Sequence, residues 1–265
     1  MSPDGGPRVA LVTGAARGIG AATVRALRRS GWRVVAVDAC LGEDHRMPGV
    51  AYALASRADL DRVADDPDVL ARVVDVRDAP AVRGVVDEAV ERWGRLDAAV
   101  AAAGVVSGGH PAWETPTEDL AALWEVCVAG VWNTLSAAVP PMLAGSDPTG
   151  CRLVALASTA AGHGLWHLSG YTVAKHAVVG VVRGLAADLV GTGVSAVAVS
   201  PGATRTAMVA ATAAIYGVGP EALVEHQLTR RLHEPDEVAA TVAHCCSPAG
   251  GLLNGSVVEV AGGWG

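Results

Sequence analysis

The stretch that most constrains the fold lies near the N-terminus. Arg8-Val9-Ala10-Leu11-Val12 is a short apolar run ending in Thr13-Gly14-Ala15-Ala16-Arg17-Gly18-Ile19-Gly20, after which Ala21 to Arg29 reads as a helix stopped by Gly31. This order predicts strand, glycine turn, helix. A second strand, Arg33 to Val37, ends in Asp38, 18 residues beyond Gly20. Glycines at such a turn let the backbone approach a pyrophosphate, and the helix N-terminus offers it unpaired N–H groups. An acid at the end of the second strand can accept from both ribose hydroxyls. Gly14, Ala16, Arg17, Gly18, Ile19, Gly20 and Asp38 are therefore candidates for binding a dinucleotide. Asp38 is followed by Ala39 and Cys40 rather than by arginine, so a 2′-phosphate would meet repulsion. NAD is favoured over NADP, although Arg17 keeps NADP open.

The rest of the chain repeats the alternation. Strands are expected at Leu70–Val74, Leu96–Ala103, Arg152–Ala157, Val194–Val199 and Ser256–Val260. Helices are expected at Ala79–Trp93, from about Glu118 to Leu143, around Tyr171, and from Pro235 onward. Strands alternating with helices predict an α/β fold, doubly wound, with a mostly parallel seven-stranded sheet covered on both faces. No linker, repeat or low-complexity tract divides residues 1–265, so a single domain is expected. Residues 39–69 form an unusually long connection that a plain crossover would not need. Gly42 to Ala51 reads as loop, and Ser56-Arg57-Ala58-Asp59 can cap a short helix reaching Ala64.

A second motif carries chemistry. Tyr171 and Lys175, four apart in a run of helix formers, share one helix face. An ammonium about 4 Å from a phenolate, at an effective dielectric near 20, favours ionised tyrosine by about 4 kcal/mol. That would bring a pKa of about 10 down toward 7 and make a general acid/base. Lys175 is the only lysine in the chain, beside 19 arginines. An ordinary helix with a half-buried tyrosine is the competing reading of this pair alone.

Composition excludes several classes of function. A net charge of −7 without a basic cluster argues against nucleic acid or anionic membrane as partner. Five cysteines, odd in number and without CxxC, indicate reduced core thiols rather than a disulfide framework or a zinc site, and His163, His167 and His176 have no metal spacing. Met1 to Pro7 lack an apolar h-region, and no stretch of about 20 apolar residues is free of charges and turn breakers. A cytoplasmic protein is expected.

Thr13 to Gly20, Asp38, Asp75-Val76, the strand to Gly104, Ser158, Tyr171 with Lys175, and Pro201-Gly202 with Thr206 stand in the order of the short-chain dehydrogenase/reductase family. The chain resembles that family over essentially its full length. The resemblance implies a Rossmann-type fold, NAD as cofactor, and a homotetramer associating partly through the Tyr171 helix. It makes Tyr171 the acid/base and gives Lys175 two roles, lowering the tyrosine pKa and binding the nicotinamide ribose. Ser158, 13 residues before Tyr171, would bond the substrate oxygen, with Thr159 as the alternative. Asp75 and Val76 would lie by the adenine. Ala103 and Gly104 close the fourth strand against the cofactor, and Pro201, Gly202, Thr204 and Thr206 would cover the nicotinamide side. Residues 204–232 would form a substrate lid.

Two positions depart from the family pattern. The usual NNAG strand ending reads Ala101-Ala102-Ala103-Gly104. Cys127 stands where a catalytic asparagine is usual, and Asn133, six residues on, is not its substitute. A thiol would hold poorly the water that connects the lysine to solvent. The long segment after Asp38, the Ala-Ala-Ala-Gly ending and Leu-Trp-His-Leu before Tyr171 resemble the mycofactocin-associated dehydrogenases. In those nicotinoproteins the insertion is thought to close over NAD, which mycofactocin reoxidises in place. The reaction implied is reversible oxidation of a small apolar alcohol to a ketone or aldehyde, with Trp113, Trp166, Met208 and Tyr216 as candidate substrate contacts. An ordinary NAD-exchanging dehydrogenase and a catalytically degenerate NAD-binding regulator are the competing readings.

Overall fold

The strands are β1 Val9–Thr13, β2 Arg33–Asp38, β3 Val69–Val73, β4 Ala98–Ala101, β5 Arg152–Leu156, β6 Ser195–Pro201 and β7 Val257–Val260. In this computed structural model, which describes residues 6–45 and 47–263, they form one parallel sheet in the order β3-β2-β1-β4-β5-β6-β7. Most of the Pro/Gly-rich start, Arg46, and Trp264-Gly265 lie outside the described residues. The helices are α1 Gly18–Arg29, α2 Arg57–Val63, α3 Ala79–Trp93, α4 Thr117–Trp124, α5 Gly130–Ala144, α6 Ser169–Asp188, α7 Ala207–Tyr216 and α8 Pro235–Cys246. The chain steps outward from β1 to β3, then returns to β4 on the other side of β1. That reversal places a crevice beyond the carboxyl ends of β1 and β4.

Alternation along the strands divides the core in two, because successive side chains point to opposite faces. Val9, Leu11, Val35 and Leu153 meet Val82, Val86, Leu135, Met142, Val178 and Val182 of α3, α5 and α6. Ala10, Val12, Val34 and Val154 meet Val24 and Leu27 of α1 and Val238 and Val242 of α8. Both faces are apolar and small-branched, which is what a doubly covered parallel sheet requires. Alanines let α1 and α8 approach closely, with Ala22 and Ala26 against Ala239.

The expected helix near residues 118–143 has a break in its hydrogen-bond register. A π-helical turn, Glu125–Ala129, separates α4 from α5. Thr117–Ala144 is long and apolar enough, by length and composition, to cross a bilayer, although Glu118, Asp119, Glu125, Gly130 and Pro140-Pro141 interrupt it, as the sequence reading required. Its apolar face, including Val131, Leu135, Ala138 and Met142, packs on the sheet instead. The predicted cap of α2 forms: Ser56 Oγ accepts the Asp59 N–H at 3.2 Å, and the Asp59 carboxylate accepts the Ser56 N–H at 2.7 Å.

The described cysteines are free thiols. Burial pushes Cys151 up from 9.0 to about 12, helped by the charges of Asp97 and Asp147, and pushes Cys245 up to about 11. Above pH 9 the unfolded chain releases these protons while the folded chain keeps them, so stability present below pH 9 is lost as pH rises toward 11 and 12. The urea midpoint should fall between about pH 9 and about pH 11, and replacing both cysteines with alanine should flatten that fall. An unchanged slope would assign the alkaline loss to other groups.

Candidate active site

The glycine turn is built by contacts that admit no side chain. Gly14 has φ +64°, and a Cβ there would lie 2.7 Å from the Ala103 backbone at the end of β4. A Cβ on Gly20 would lie 2.0 Å from the Gly14 carbonyl oxygen. Gly18, at φ +55°, faces Thr206, whose methyl would be 3.2 Å from an added Cβ. Arg17 precedes α1 in extended conformation with no side-chain cap, so the first-turn N–H groups remain available for an anion. Asp38 ends β2 with its carboxylate oriented by the N–H groups of Ala16 and Cys40, each at 3.1 Å. Uncapped N–H groups, a cradle that a Cβ would fill and an oriented acid fit a dinucleotide.

These residues open into one cavity of about 1220 Å³, which is also lined by Ile19, Asp75, Val76, Gly104, Ser158, Tyr171, Lys175, Pro201, Gly202, Thr204, Trp166, Met208 and Tyr216. Asp75 lies below its ordinary value: burial pushes it up, but the Arg77 side chain and N–H outweigh that. Thr206 caps α7 by accepting the Val209 N–H at 3.3 Å, and the Thr204 hydroxyl donates to Gly202 O at 3.0 Å.

Tyr171 and Lys175 share a buried face of α6. The ammonium donates to the Leu156 carbonyl at 2.8 Å and lies 5.7 Å from the Tyr171 ring centroid. Tyr171 Oη donates to Met208 Sδ at 3.7 Å. Ser158 Oγ accepts the Ala160 N–H at 3.2 Å and faces the tyrosine, whose phenolate it would stabilise. Of the two candidate hydroxyls, Ser158 is thus the one that meets Tyr171. The expected lowering of the tyrosine pKa is not produced by this pair alone. Burial, then the Cys127 charge, push Tyr171 up and outweigh Ser158, while burial pushes Lys175 down. The physical reason is that two charges taken from water cost more than they recover when the ammonium is directed at a carbonyl.

Cys127 sits in the π-helical turn. Its thiol donates to Val105 O at 3.3 Å and accepts from Val105 N at 3.4 Å, clasping the segment that follows Gly104. A Cβ on Gly104 would be 3.7 Å from both Cys127 Sγ and Lys175 Nζ, so thiol and ammonium flank one point of the backbone. Asn133 bonds Val76 O at 2.9 Å, away from this cluster.

One candidate is corrected. Trp113 is 83 % exposed, donates to Glu114 and lies outside the cavity, because the short 3₁₀ turn Ala112–Glu114 carries it outward. The Ala16 N–H is taken up by the Asp38 carboxylate. Arg17, the cation that could have met a 2′-phosphate, donates to Ala53 O of the insertion at 2.6 Å. The insertion itself supplies lining residues that the sequence did not single out, Met47, Tyr52 and Leu54. An aromatic among small residues in the loop Pro48-Gly49-Val50-Ala51-Tyr52 was the available signal. Tyr216 Oη, on α7, donates to Trp166 O at 2.8 Å, joining two segments that line the cavity.

Gly20→Ala should force the Gly14 carbonyl aside and lower the NAD content of purified protein at least about tenfold while leaving the helical circular dichroism intact. Undiminished NAD content would remove the turn from the binding site.

A family model described as enoyl-(acyl carrier protein) reductase matches residues 14–265. An uncharacterised NAD-dependent oxidoreductase of Mycobacterium tuberculosis is 33 % identical over 98 % of each chain. The (−)-trans-carveol dehydrogenase of Rhodococcus erythropolis is 32 % identical, covering 89 % of this chain and 83 % of that one. The crystal structure of carveol dehydrogenase from Mycobacterium avium in complex with NAD superposes with a TM-score of 0.90 at 28 % identity, covering 98 % of both chains. Motifs, strand order and full-length relatives agree: the chain belongs to the short-chain dehydrogenase/reductase family.

Proposed function

We propose that the protein is an NAD-dependent oxidoreductase that interconverts a small apolar alcohol and its ketone or aldehyde. The observation that carries this reading is the convergence of Ser158, Tyr171 and Lys175 on the same cavity as the glycine turn and Asp38. When bound, NAD supplies the hydride acceptor and a positive nicotinamide ring. Tyr171 takes the hydroxyl proton in oxidation and returns it in reduction, and burial favours its protonated form. Ser158, held by the Ala160 N–H, orients the substrate oxygen. Lys175 places one N–H on Leu156 O and keeps two donors for the ribose hydroxyls. The apolar wall of Leu165, Leu168 and Met208, and relatives named for carveol, support an apolar alcohol.

The insertion supports NAD that stays bound through turnover. Met47, Tyr52 and Leu54 line the cavity, and the Arg17–Ala53 bond ties the insertion to the glycine turn. In this reading mycofactocin reoxidises the cofactor in place, in the cytoplasm. Leu120 and Trp124 of α4, Trp132 of α5 and Val173 of α6 are exposed apolar side chains, which supports association into a homotetramer.

Tyr171→Phe should lower kcat/KM by about 10²- to 10⁴-fold and keep its NAD content; full activity would sink the assignment. Denaturing the purified protein should release NAD equimolar with chain, and turnover should require an artificial electron acceptor. An empty site with turnover on added NAD would mean an ordinary exchanging dehydrogenase. No cofactor reduction with any alcohol in a panel would mean a regulator. Light scattering should read four chains per particle, and a monomer mass would overturn the tetramer.

A further inference from the structure

We propose that Tyr52, carried into the site by the insertion, is a specificity-determining residue that selects alcohols bearing a second hydrogen-bond acceptor. This rests on the alcohol-oxidoreductase reading above. Tyr52 packs in the cluster that holds Val105, Val126, Cys127, Leu168 and Tyr171, and it lines the cavity. Its main chain is clamped on both sides: His45 Nε2 lies 2.9 Å from the Tyr52 carbonyl oxygen, and Arg17 donates to the neighbouring Ala53 carbonyl. The neck of the loop is closed by Gly42 N–H to Ala55 O at 2.9 Å and Leu54 N–H to Gly42 O at 3.0 Å. The ring therefore stands on a fixed base although it comes from a long connection.

Tyr52 Oη accepts the Val106 N–H at 3.2 Å. Val105, the preceding residue, is the one clasped by the Cys127 thiol. The hydroxyl thus belongs to the same backbone segment, Gly104 to Val106, against which Lys175 and Cys127 converge. Burial keeps the Tyr52 phenol protonated, opposed in part by the Val106 N–H bond. Accepting from Val106 uses a lone pair and leaves the O–H as a donor. Among the described residues that donor has no protein acceptor, and the ring lies in the cluster that also holds Tyr171 and Cys127. A substrate oxygen beyond the reacting one can take this hydrogen bond, whereas a plain alcohol leaves it unmade.

The test compares cyclohexanol with cyclohexane-1,2-, 1,3- and 1,4-diol on wild type and Tyr52→Phe, which keeps the ring. Wild type should favour at least one diol over cyclohexanol by about tenfold in kcat/KM. Tyr52→Phe should lose that preference, its diol-to-cyclohexanol ratio in kcat/KM falling to about one. Absence of any diol preference in wild type, or a preference unchanged in Tyr52→Phe, overturns the proposal. Titration calorimetry of the same four compounds with the NAD-containing proteins gives a readout independent of turnover. If binding shows the Tyr52-dependent preference and no alcohol is oxidised, the oxidoreductase reading fails and the role of Tyr52 stands. If turnover occurs but binding and rates ignore the Tyr52 hydroxyl, the reverse holds. A melting temperature for Tyr52→Phe close to that of wild type shows that the loop is intact.

Discussion

The architecture depends on how closely three pieces of backbone approach one another at the end of β1. The Gly14 carbonyl nearly touches Gly20, and Gly14 itself lies against Ala103 at the end of β4. No residue with a Cβ fits either contact. The pair brings the N-terminus of α1 over the point where the strand order reverses, so unpaired N–H groups, the Asp38 carboxylate and the β4 end share one crevice. β4 is the strand of small residues, Ala98-Ala99-Val100-Ala101, fully buried between β1 and β5.

Within that crevice the chemistry is decided by a contest between burial and charge. Tyr171 and Lys175 sit on one face of one helix, as their spacing requires, yet burial moves both toward their neutral forms. The attraction available between them is small because the ammonium is held by Leu156 O rather than by the phenol oxygen. Ionising the tyrosine calls for further positive charge or further donors, and Ser158 is the protein donor that faces it. The protein therefore fixes where the proton goes, and the bound cofactor shares in deciding when.

Cys127 and the insertion change the surroundings of that pair. A π-helical turn feeds the thiol to the Val105 main chain, where one sulfur both donates and accepts. The insertion reaches the next residue, Val106, through Tyr52. Thiol and phenol hold consecutive residues of one segment, so the wall of the site beside Lys175 is braced from α4–α5 on one side and from the 39–69 connection on the other. The same connection is fastened to the glycine turn through Arg17.

The order of strands and helices, the glycine turn, the Ser56 cap and the Tyr171–Lys175 face were legible in the sequence, because each follows from spacing within a few residues and from local backbone preference. Strand ends shifted by a residue or two, and the helix near 118–143 concealed its π-helical turn, since nothing in local composition records a change of hydrogen-bond register. Trp113 and Met208 looked alike as apolar side chains in loops at the carboxyl ends of strands, and only the tertiary structure separated them, one turned outward and the other against Tyr171. The reach of Tyr52 and Arg17 was likewise invisible, because their partners lie 54 and 36 positions away. Residue type and local spacing settle which residues can do chemistry and which elements carry them. Long-range packing decided which of them meet and how far burial opposes their charges, because desolvation and contact are properties of the folded neighbourhood and not of the chain.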